Sequence, residues 1–151
     1  IEKEHHEIAS HTMYHQNLTK IPANSARADI NEAKSIIRDI LGHEPAYTRP
    51  PYGSCNNTVV SSAGTPIILW SVDSEDWRSK NLESIINVTM SEVYDGAIIL
   101  MHDIYPTSVK AIPALVDTLR EAGYEFATLS ELAKAKNISL DSGKIYYNLT
   151  P

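Results

Sequence analysis

The stretch PIILWSVDSEDW, residues 66–77, decides the fold class, because a continuous apolar run in it leads directly into a cluster of polar residues. GAIILMHD at residues 96–103 has the same form. Runs that are apolar throughout are typical of parallel strands covered by helices on both faces. EIAS before HTMYH at 7–15 and AYT before RPPYG at 46–53 are shorter examples of the same arrangement. We therefore predict an α/β protein with parallel strands.

Amphipathic helices are predicted between these strands. The first runs from a cap at Asn24 or Ser25 to Gly42, and the second begins near Asn81. The third follows Thr107 and ends at Gly123, and the fourth starts at Ser130. The apolar face of the third helix is predicted to carry Val109, Ile112, Leu115, Val116 and Leu119. YEFATL, residues 124–129, is predicted to be a further strand. The alternation of strand and helix, without an internal linker or repeat, predicts one domain over residues 1–151.

Composition excludes several classes of function. Lys and Arg number 13 against 19 Asp and Glu, so the net charge of -6 gives no basic surface for nucleic acid. No apolar run approaches the roughly 18 residues that a membrane helix needs. Cys55 is the one cysteine, which excludes an internal disulfide and a thiolate zinc cluster. Any metal would therefore be held by histidines and carboxylates.

The polar clusters after the four strands predict a common site. The carboxyl ends of parallel strands open onto one face, so we expect HTMYH, RPPYG, DSEDW and LMHD to lie close together. A catalytic zinc usually takes three protein ligands and keeps one position open. His11 and His15 can supply two of the three ligands, and an Asp or Glu would be the third.

Each of these residues also has an ordinary interpretation. Two histidines four apart are common on protein surfaces, and taken alone His11 and His15 would be read as surface residues. Arg49 can serve as a surface ion-pair partner, which stabilises little. Asp103 can cap the helix that follows it. Cys55 has no paired base or second cysteine and is interpreted as a bystander.

HTMYH, RPPYG, DSEDW and LMHD, in this order, resemble the second to fifth signature motifs of the polysaccharide deacetylases of carbohydrate esterase family 4, the NodB-homology domain. Each motif alone is weak, but four in order, each after a predicted strand, are specific. The match runs from about Glu7 to the end of the chain. The resemblance implies a distorted (β/α) barrel of the NodB type.

The resemblance also implies roles for the first two clusters. His11 and His15 would bind a divalent metal, usually Zn²⁺, with Co²⁺ or Ni²⁺ as alternatives. Arg49 would line the groove and steady nearby carboxylates, and the backbone N–H of Tyr52 would bind the oxyanion. Pro51 would stiffen the turn that carries this N–H and line the substrate site.

For the last two clusters, the resemblance implies an acid and its partner. His102 would be the catalytic acid that protonates the departing amine, and Asp76 would hold its tautomer and orientation. Trp77 and Leu100 would shape the apolar pocket for the acetyl methyl group. Asp73 is a supporting candidate only.

The family's first motif, a strand ending in adjacent aspartates, does not occur. No Asp-Asp pair is present in the sequence, so the catalytic base and the third metal ligand, an Asp, are absent from this chain. We therefore expect the chain to be the C-terminal portion of the domain, with roughly 60 residues or two βα units missing from its N-terminal side. That segment, cleaved, lost or bound separately, would be a partner, and this portion alone is expected to be inactive.

The function implied by the resemblance is metal-dependent removal of N-acetyl groups from N-acetylglucosamine in a polysaccharide, with peptidoglycan ahead of chitin oligomers. Acetyl xylan esterase activity at the same site is an alternative. A non-catalytic glycan-binding pseudoenzyme is another, favoured by the missing Asp pair. An extracellular or cell-wall location follows from the resemblance alone.

Overall fold

The computed structural model describes residues 1–150 and forms short strands connected by helices. The strands are β1 Ala9–Ser10, β2 Tyr47–Thr48, β3 Ile67–Ile68, β4 Val72–Asp73, β5 Ile99–Leu100 and β6 Ile145–Tyr146. The helices are α1 Ala23–Leu41, α2 Asn57–Ala63, α3 Asp76–Ser79, α4 Leu82–Glu92, α5 Pro106–Glu121 and α6 Leu129–Ala135. None of the helices in the described residues has the length and apolar character needed to span a bilayer.

The chain divides into two compact units. The first unit contains residues 1–69 and 137–146, and the second contains residues 70–136 and the segment that starts at Tyr147. The run PIILWSV, residues 66–72, is predicted as one strand but contains β3 in the first unit and the start of β4 in the second. The prediction of a single domain over residues 1–151 stays a prediction.

In the first unit, four parallel strands form one sheet in the order β1-β2-β3-β6. Helices α1 and α2 bury a cluster made by Leu18, Ala26, Ile30 and Val59. The C-terminal end of α1 is as predicted, since Gly42 takes a left-handed φ of 83° and its N–H donates to Arg38 at 2.7 Å.

The start of α1 differs from the prediction. Neither Asn24 nor Ser25 caps the helix, because the N–H of Ala26 already donates to the carbonyl of Pro22 at 3.0 Å. Pro22 therefore takes the cap position, and the helix begins at Ala23 without a side-chain cap.

In the second unit, β4 and β5 pair in parallel, with Val72 opposite Ile99 and Asp73 opposite Leu100. Helix α4 begins as predicted, because the Asn81 side chain accepts the N–H of Ser84 at 2.9 Å. The polar residues of DSEDW and LMHD lie at the ends of these two strands. Because the strands are neighbours, their ends place these polar residues close together.

For the second unit, the predicted apolar face of the third helix holds only in part, and one predicted strand is wrong. Helix α5 buries Leu115 and Leu119 of the predicted apolar face, together with Ser108 and Ala111. Val109 and Ile112 of that face are exposed instead. YEFATL forms no strand. Its last residues instead begin α6, where Thr128 and Glu131 form a reciprocal capping box that satisfies the first amides of the helix.

Candidate active site

The histidine loop, residues 11–15, follows β1 directly and carries the two predicted metal ligands. Nδ1 of His11 lies 2.5 Å from the carbonyl oxygen of Arg49. Because a carbonyl only accepts, Nδ1 carries the proton and the lone pair of the ring is on Nε2, which is the tautomer that coordinates a metal through Nε2. The rings of His11 and His15 meet edge to face with centroids 5.0 Å apart. The structure thus brings the two predicted ligands together.

The backbone of this loop is unusual. Thr12 and His15 have positive φ values of 69° and 52°, although neither is a glycine. The N–H groups of Met13 and Tyr14 donate to a carboxylate oxygen of Asp29 on α1, at 2.6 Å and 3.2 Å. Sequence reasoning missed Asp29. The available signal was its position, because residue 29 falls on the apolar stripe of α1 that is otherwise formed by Ala26, Ile30 and Ala33.

Arg49 connects the histidine loop to the sheet. Its N–H donates to Ser10 at 2.8 Å, while its guanidinium donates to the carbonyls of Ile68 at 3.3 Å and Leu69 at 3.4 Å. Burial lowers the pKa of the Arg49 guanidinium. The interpretation of Arg49 as an exposed ion-pair partner is therefore wrong. Its partners are backbone carbonyls, which fix both the side chain and the carbonyl that holds His11.

Tyr52 lies in the tight turn of RPPYG and has a left-handed backbone, with φ 60° and ψ 11°. Pro50 and Pro51 on its N-terminal side are buried, and the N–H groups of Gly53 and Ser54 close the turn at 3.1 Å each. The Tyr52 side chain is 65% exposed, and its ring contacts His15 with a centroid distance of 5.0 Å. The burial of Pro51 suits the stiffening role more than direct contact with substrate.

In the second unit, Asp76 and His102 form a hydrogen-bonded pair, which we call the acid pair. One carboxylate oxygen of Asp76 lies 2.8 Å from Nδ1 of His102, and the other accepts the backbone N–H of His102 at 2.7 Å. Because an ionised carboxylate only accepts, Nδ1 of His102 carries a proton. Asp76 is fully buried, whereas 31% of the His102 side chain is exposed. The ring is thus held from the inside while part of it reaches solvent.

The charge of Asp76 is stabilised despite its burial. Burial by itself raises the pKa of the carboxyl, but the hydroxyl of Ser108 and the ring and backbone N–H of His102 lower it by more. The net result is a pKa below the ordinary value, so Asp76 is ionised at neutral pH.

The remaining predicted residues of the second unit surround this pair. Trp77 is 46% exposed, and its backbone N–H donates to Asp76 at 2.8 Å. Leu100 is 7% exposed at the end of β5, and Asp73 accepts the N–H of Glu75 at 2.9 Å. Asp103 does not cap α5 as predicted, because Tyr105 occupies the cap position and Pro106 starts the helix.

A metal fits the histidine loop in part. The Nδ1–H bond of His11 and the proximity of the His15 ring suit two imidazole ligands of one divalent ion. Within residues 1–150, no group of three His, Cys, Asp or Glu side chains comes together to complete such a site. The described residues thus supply two ligands of the three that a catalytic zinc usually requires.

Comparison with known proteins places the chain in a family. The sequence profile of the family Polysaccharide deacetylase matches residues 1–65. A solved structure, the T48 deacetylase with substrate, is 34% identical with a TM-score of 0.86, and the match covers 93% of this chain and 70% of that chain. The chain belongs to the polysaccharide deacetylases. The predicted family and its α/β fold with parallel sheets are confirmed.

Curated members of this family cover nearly all of the chain. Peptidoglycan-N-acetylmuramic acid deacetylase PdaC from Bacillus subtilis is 37% identical over 134 residues, 89% of this chain and 29% of the relative. Peptidoglycan-N-acetylglucosamine deacetylase PgdA from Listeria monocytogenes is 37% identical over 148 residues, 98% of this chain and 31% of the relative. The chain therefore spans under a third of the length of these two relatives.

Two further solved structures of the family show its functional range. A family 4 acetyl xylan esterase from Clostridium thermocellum in complex with a cobalt ion has a TM-score of 0.90 at 26% identity, with 99% of this chain and 76% of that chain covered. A mutant of the family 4 pseudoenzyme BA3943, in which enzymatic activity is restored, has a TM-score of 0.81 at 26% identity. The match covers 97% of this chain and 52% of that chain.

Proposed function

We propose that the protein is a metal-dependent deacetylase that removes N-acetyl groups from N-acetylglucosamine in peptidoglycan. The observation that carries the proposal is the acid pair, in which a buried, ionised Asp76 holds a partly exposed His102. The Bacillus and Listeria relatives, which are peptidoglycan deacetylases, support the substrate class. Chitin oligomers, which carry the same acetylated sugar, are the second candidate substrate.

Amide hydrolysis explains why the acid pair is needed. A sugar amine leaves as an anion only at high energy, so a proton must reach the nitrogen as the C–N bond breaks. With Nδ1 bonded to Asp76, His102 delivers this proton from Nε2. The fixed negative charge of Asp76 stabilises the protonated ring before transfer and keeps it in one orientation, as an aspartate does for histidine in other hydrolases.

His11 and His15 are the residues that would hold the metal, with zinc as our first choice and cobalt or nickel as alternatives. When bound, a divalent metal supplies Lewis acidity that polarises the acetyl carbonyl and activates water. The chain's own contribution is to fix the imidazoles, because the Arg49 carbonyl sets the His11 tautomer and the Tyr52 ring packs on His15. We propose that the third metal ligand and the catalytic base are carboxylates that do not belong to residues 1–150.

The other predicted residues complete the proposal. The N–H of Tyr52, in a turn stiffened by two prolines, would donate to the oxyanion, an interaction that is typically worth about 3 kcal/mol. Arg49 would line the groove, while Trp77 and Leu100 would shape the acetyl pocket. Pro51 would contribute to substrate binding mainly through the turn it stiffens. We also propose an extracellular or cell-wall location, where peptidoglycan is found.

The proposal is tested with the full-length protein. Its metal content is measured by elemental analysis, and acetate release from N-acetylglucosamine oligomers is followed with and without added zinc. Stoichiometric metal together with acetate release is the expected result. Stoichiometric metal without any acetate release from these oligomers or from peptidoglycan would refute deacetylation of N-acetylglucosamine.

Two other functions are separated by the same assay. The Clostridium relative favours acetyl xylan esterase activity, which would appear as faster acetate release from acetylated xylan than from N-acetylglucosamine oligomers. The pseudoenzyme relative, together with the lack of a third metal ligand in residues 1–150, favours glycan binding without catalysis. That function would appear as saturable binding of the oligomer with no acetate released. Histidines that merely pack would hold no stoichiometric metal.

A further inference from the structure

Two carboxylates are buried in the part of the chain that the structure describes. Asp76 is fully buried and Asp29 is 3% exposed, while the other buried polar residues of residues 1–150 are serines and threonines. An ionised carboxylate is costly to remove from water unless hydrogen bonds compensate it. Asp76 has a clear partner in His102. Asp29 takes no part in the chemistry proposed above, so its burial needs a separate reason.

The partners of Asp29 lie between the two predicted metal ligands. One of its carboxylate oxygens accepts the N–H of Met13 at 2.6 Å and the N–H of Tyr14 at 3.2 Å. Hydrogen bonds to an ionised acceptor are about twice as strong as neutral ones. The other oxygen is buried and has no partner among the described residues. The hydrogen bonds that compensate the burial of Asp29 therefore all come from the middle of the histidine loop.

The histidine loop needs such a connection. Its positive φ values at Thr12 and His15 are unfavourable for residues with a Cβ and persist only where the surroundings impose them. The orientation of both imidazoles follows from the backbone of this loop. A bond from a rigid helix to the two central amides fixes that backbone on either side, toward His11 and toward His15.

We propose that Asp29 is a positioning residue for the histidine pair. By accepting the N–H groups of Met13 and Tyr14, it holds the loop so that His11 and His15 present their rings to one divalent metal. Asp29 acts through the backbone and is neither a ligand nor in contact with substrate. The inference rests on the proposed function, because it assigns a purpose to a loop that binds metal.

The same loop provides a matched control. The hydroxyl of Tyr14 donates to Glu32, also on α1, at 2.9 Å and 3.0 Å, and Glu32 is exposed. This second bond joins the same loop to the same helix through a side chain at the surface. Glu32→Gln weakens it without touching the loop backbone.

The test is titration of the full-length protein with zinc alone by isothermal titration calorimetry, for wild type, Asp29→Ala, Asp29→Asn and Glu32→Gln. Loss of a residue that orients metal ligands typically weakens metal affinity by roughly 10- to 100-fold, and we expect this for Asp29→Ala. Asp29→Asn keeps an acceptor oxygen at the same position and should recover most of the affinity. Glu32→Gln should bind like wild type. Circular dichroism verifies that each variant is folded.

Equal zinc affinity in folded wild type and Asp29→Ala would overturn the proposal, as would a loss in Glu32→Gln as large as that in Asp29→Ala. A second measurement needs no variant. In the metal-free wild type, the amides of Met13 and Tyr14 should be protected from hydrogen exchange, and exchange at the rate of an unstructured peptide would refute the bond to Asp29. If wild type binds no zinc, the proposed metal function fails, while hydrogen exchange still decides the role of Asp29.

Discussion

The histidine loop and the acid pair use aspartates in different ways. In the acid pair, the Asp76 carboxylate bonds the imidazole of His102 itself. In the histidine loop, the ring of His11 is bonded by a neutral carbonyl, while the carboxylate of Asp29 bonds only backbone amides. A ring that must carry a positive charge benefits from a carboxylate partner, whereas a metal ligand must stay neutral and needs only a fixed tautomer and direction. This difference supports the roles proposed above, proton transfer for the acid pair and metal binding for the histidine loop.

Removal of a histidine from the loop should have the largest effect. For His15→Ala in the full-length protein, we expect loss of metal together with loss of deacetylation, because one imidazole of the pair is gone. Elemental analysis and acetate release measure the two. His6→Ala, a change at an exposed histidine outside the loop, is the control and should leave both unchanged. Full metal content and full activity in His15→Ala would refute the ligand assignment.

Removal of the catalytic acid should affect activity without affecting metal content. His102→Ala should keep its metal but lose the proton donor, so that the rate of acetate release falls by roughly 10²–10⁴. The metal content and the turnover number are measured on the same sample. If metal and activity are lost together in this variant, the division of roles between the two regions is wrong.

Loss of the Asp76 carboxylate should lower the rate of acetate release less than loss of the His102 ring. Asp76→Asn removes the charge that stabilises protonated His102, and part of the general-acid contribution, roughly ten- to hundredfold in rate, should be lost with the metal retained. The pH profile of the turnover number should also change, because the variant lacks the ionised carboxylate that bonds the ring of His102. Asp103→Asn, at the exposed neighbour of His102, is the matched control. Equal rates in the two variants would contradict the orienting role of Asp76.

The smallest effect concerns stability in acid. Because the pKa of Asp76 in the folded protein lies below the unfolded value of about 3.9, its ionised form stabilises the fold at neutral pH. This contribution is lost as the pH falls below about 4 and through the folded-state pKa. Asp76→Asn should therefore be less stable than wild type at pH 7, by about 1–3 kcal/mol for a lost buried hydrogen-bond partner, and the difference should shrink in acid. Urea unfolding at several pH values measures it, and a difference that is constant with pH would contradict the assignment.

The sequence predicted those features that depend on local signals. Gly42 and Asn81 ended and began helices as expected, because a left-handed residue and a capping side chain act within one turn. The four motifs identified the family, and the structure brings His11 next to His15 and Asp76 next to His102 as the resemblance implied. Their roles in catalysis stay predictions.

Features that depend on competing partners were not predictable in the same way. YEFATL has the composition of a strand, but the capping box at Thr128 draws its end into a helix. Asp103 is a good capping residue by type, yet Pro106 sets the start of α5 beyond its reach. The contact of Asp29 with the histidine loop joins residues 15 and 16 positions apart, so only the misplaced charge on an apolar stripe indicated it.

The metal centre is tested most directly by acetate release from an N-acetylglucosamine oligomer by the full-length protein, first treated with a chelator and then supplied again with a divalent metal. We expect that release stops on chelation, returns with zinc or cobalt in wild type, and fails to return in His15→Ala. Release that continues at the same rate in the chelated protein, or that returns fully in His15→Ala, would contradict a metal centre at the histidine loop.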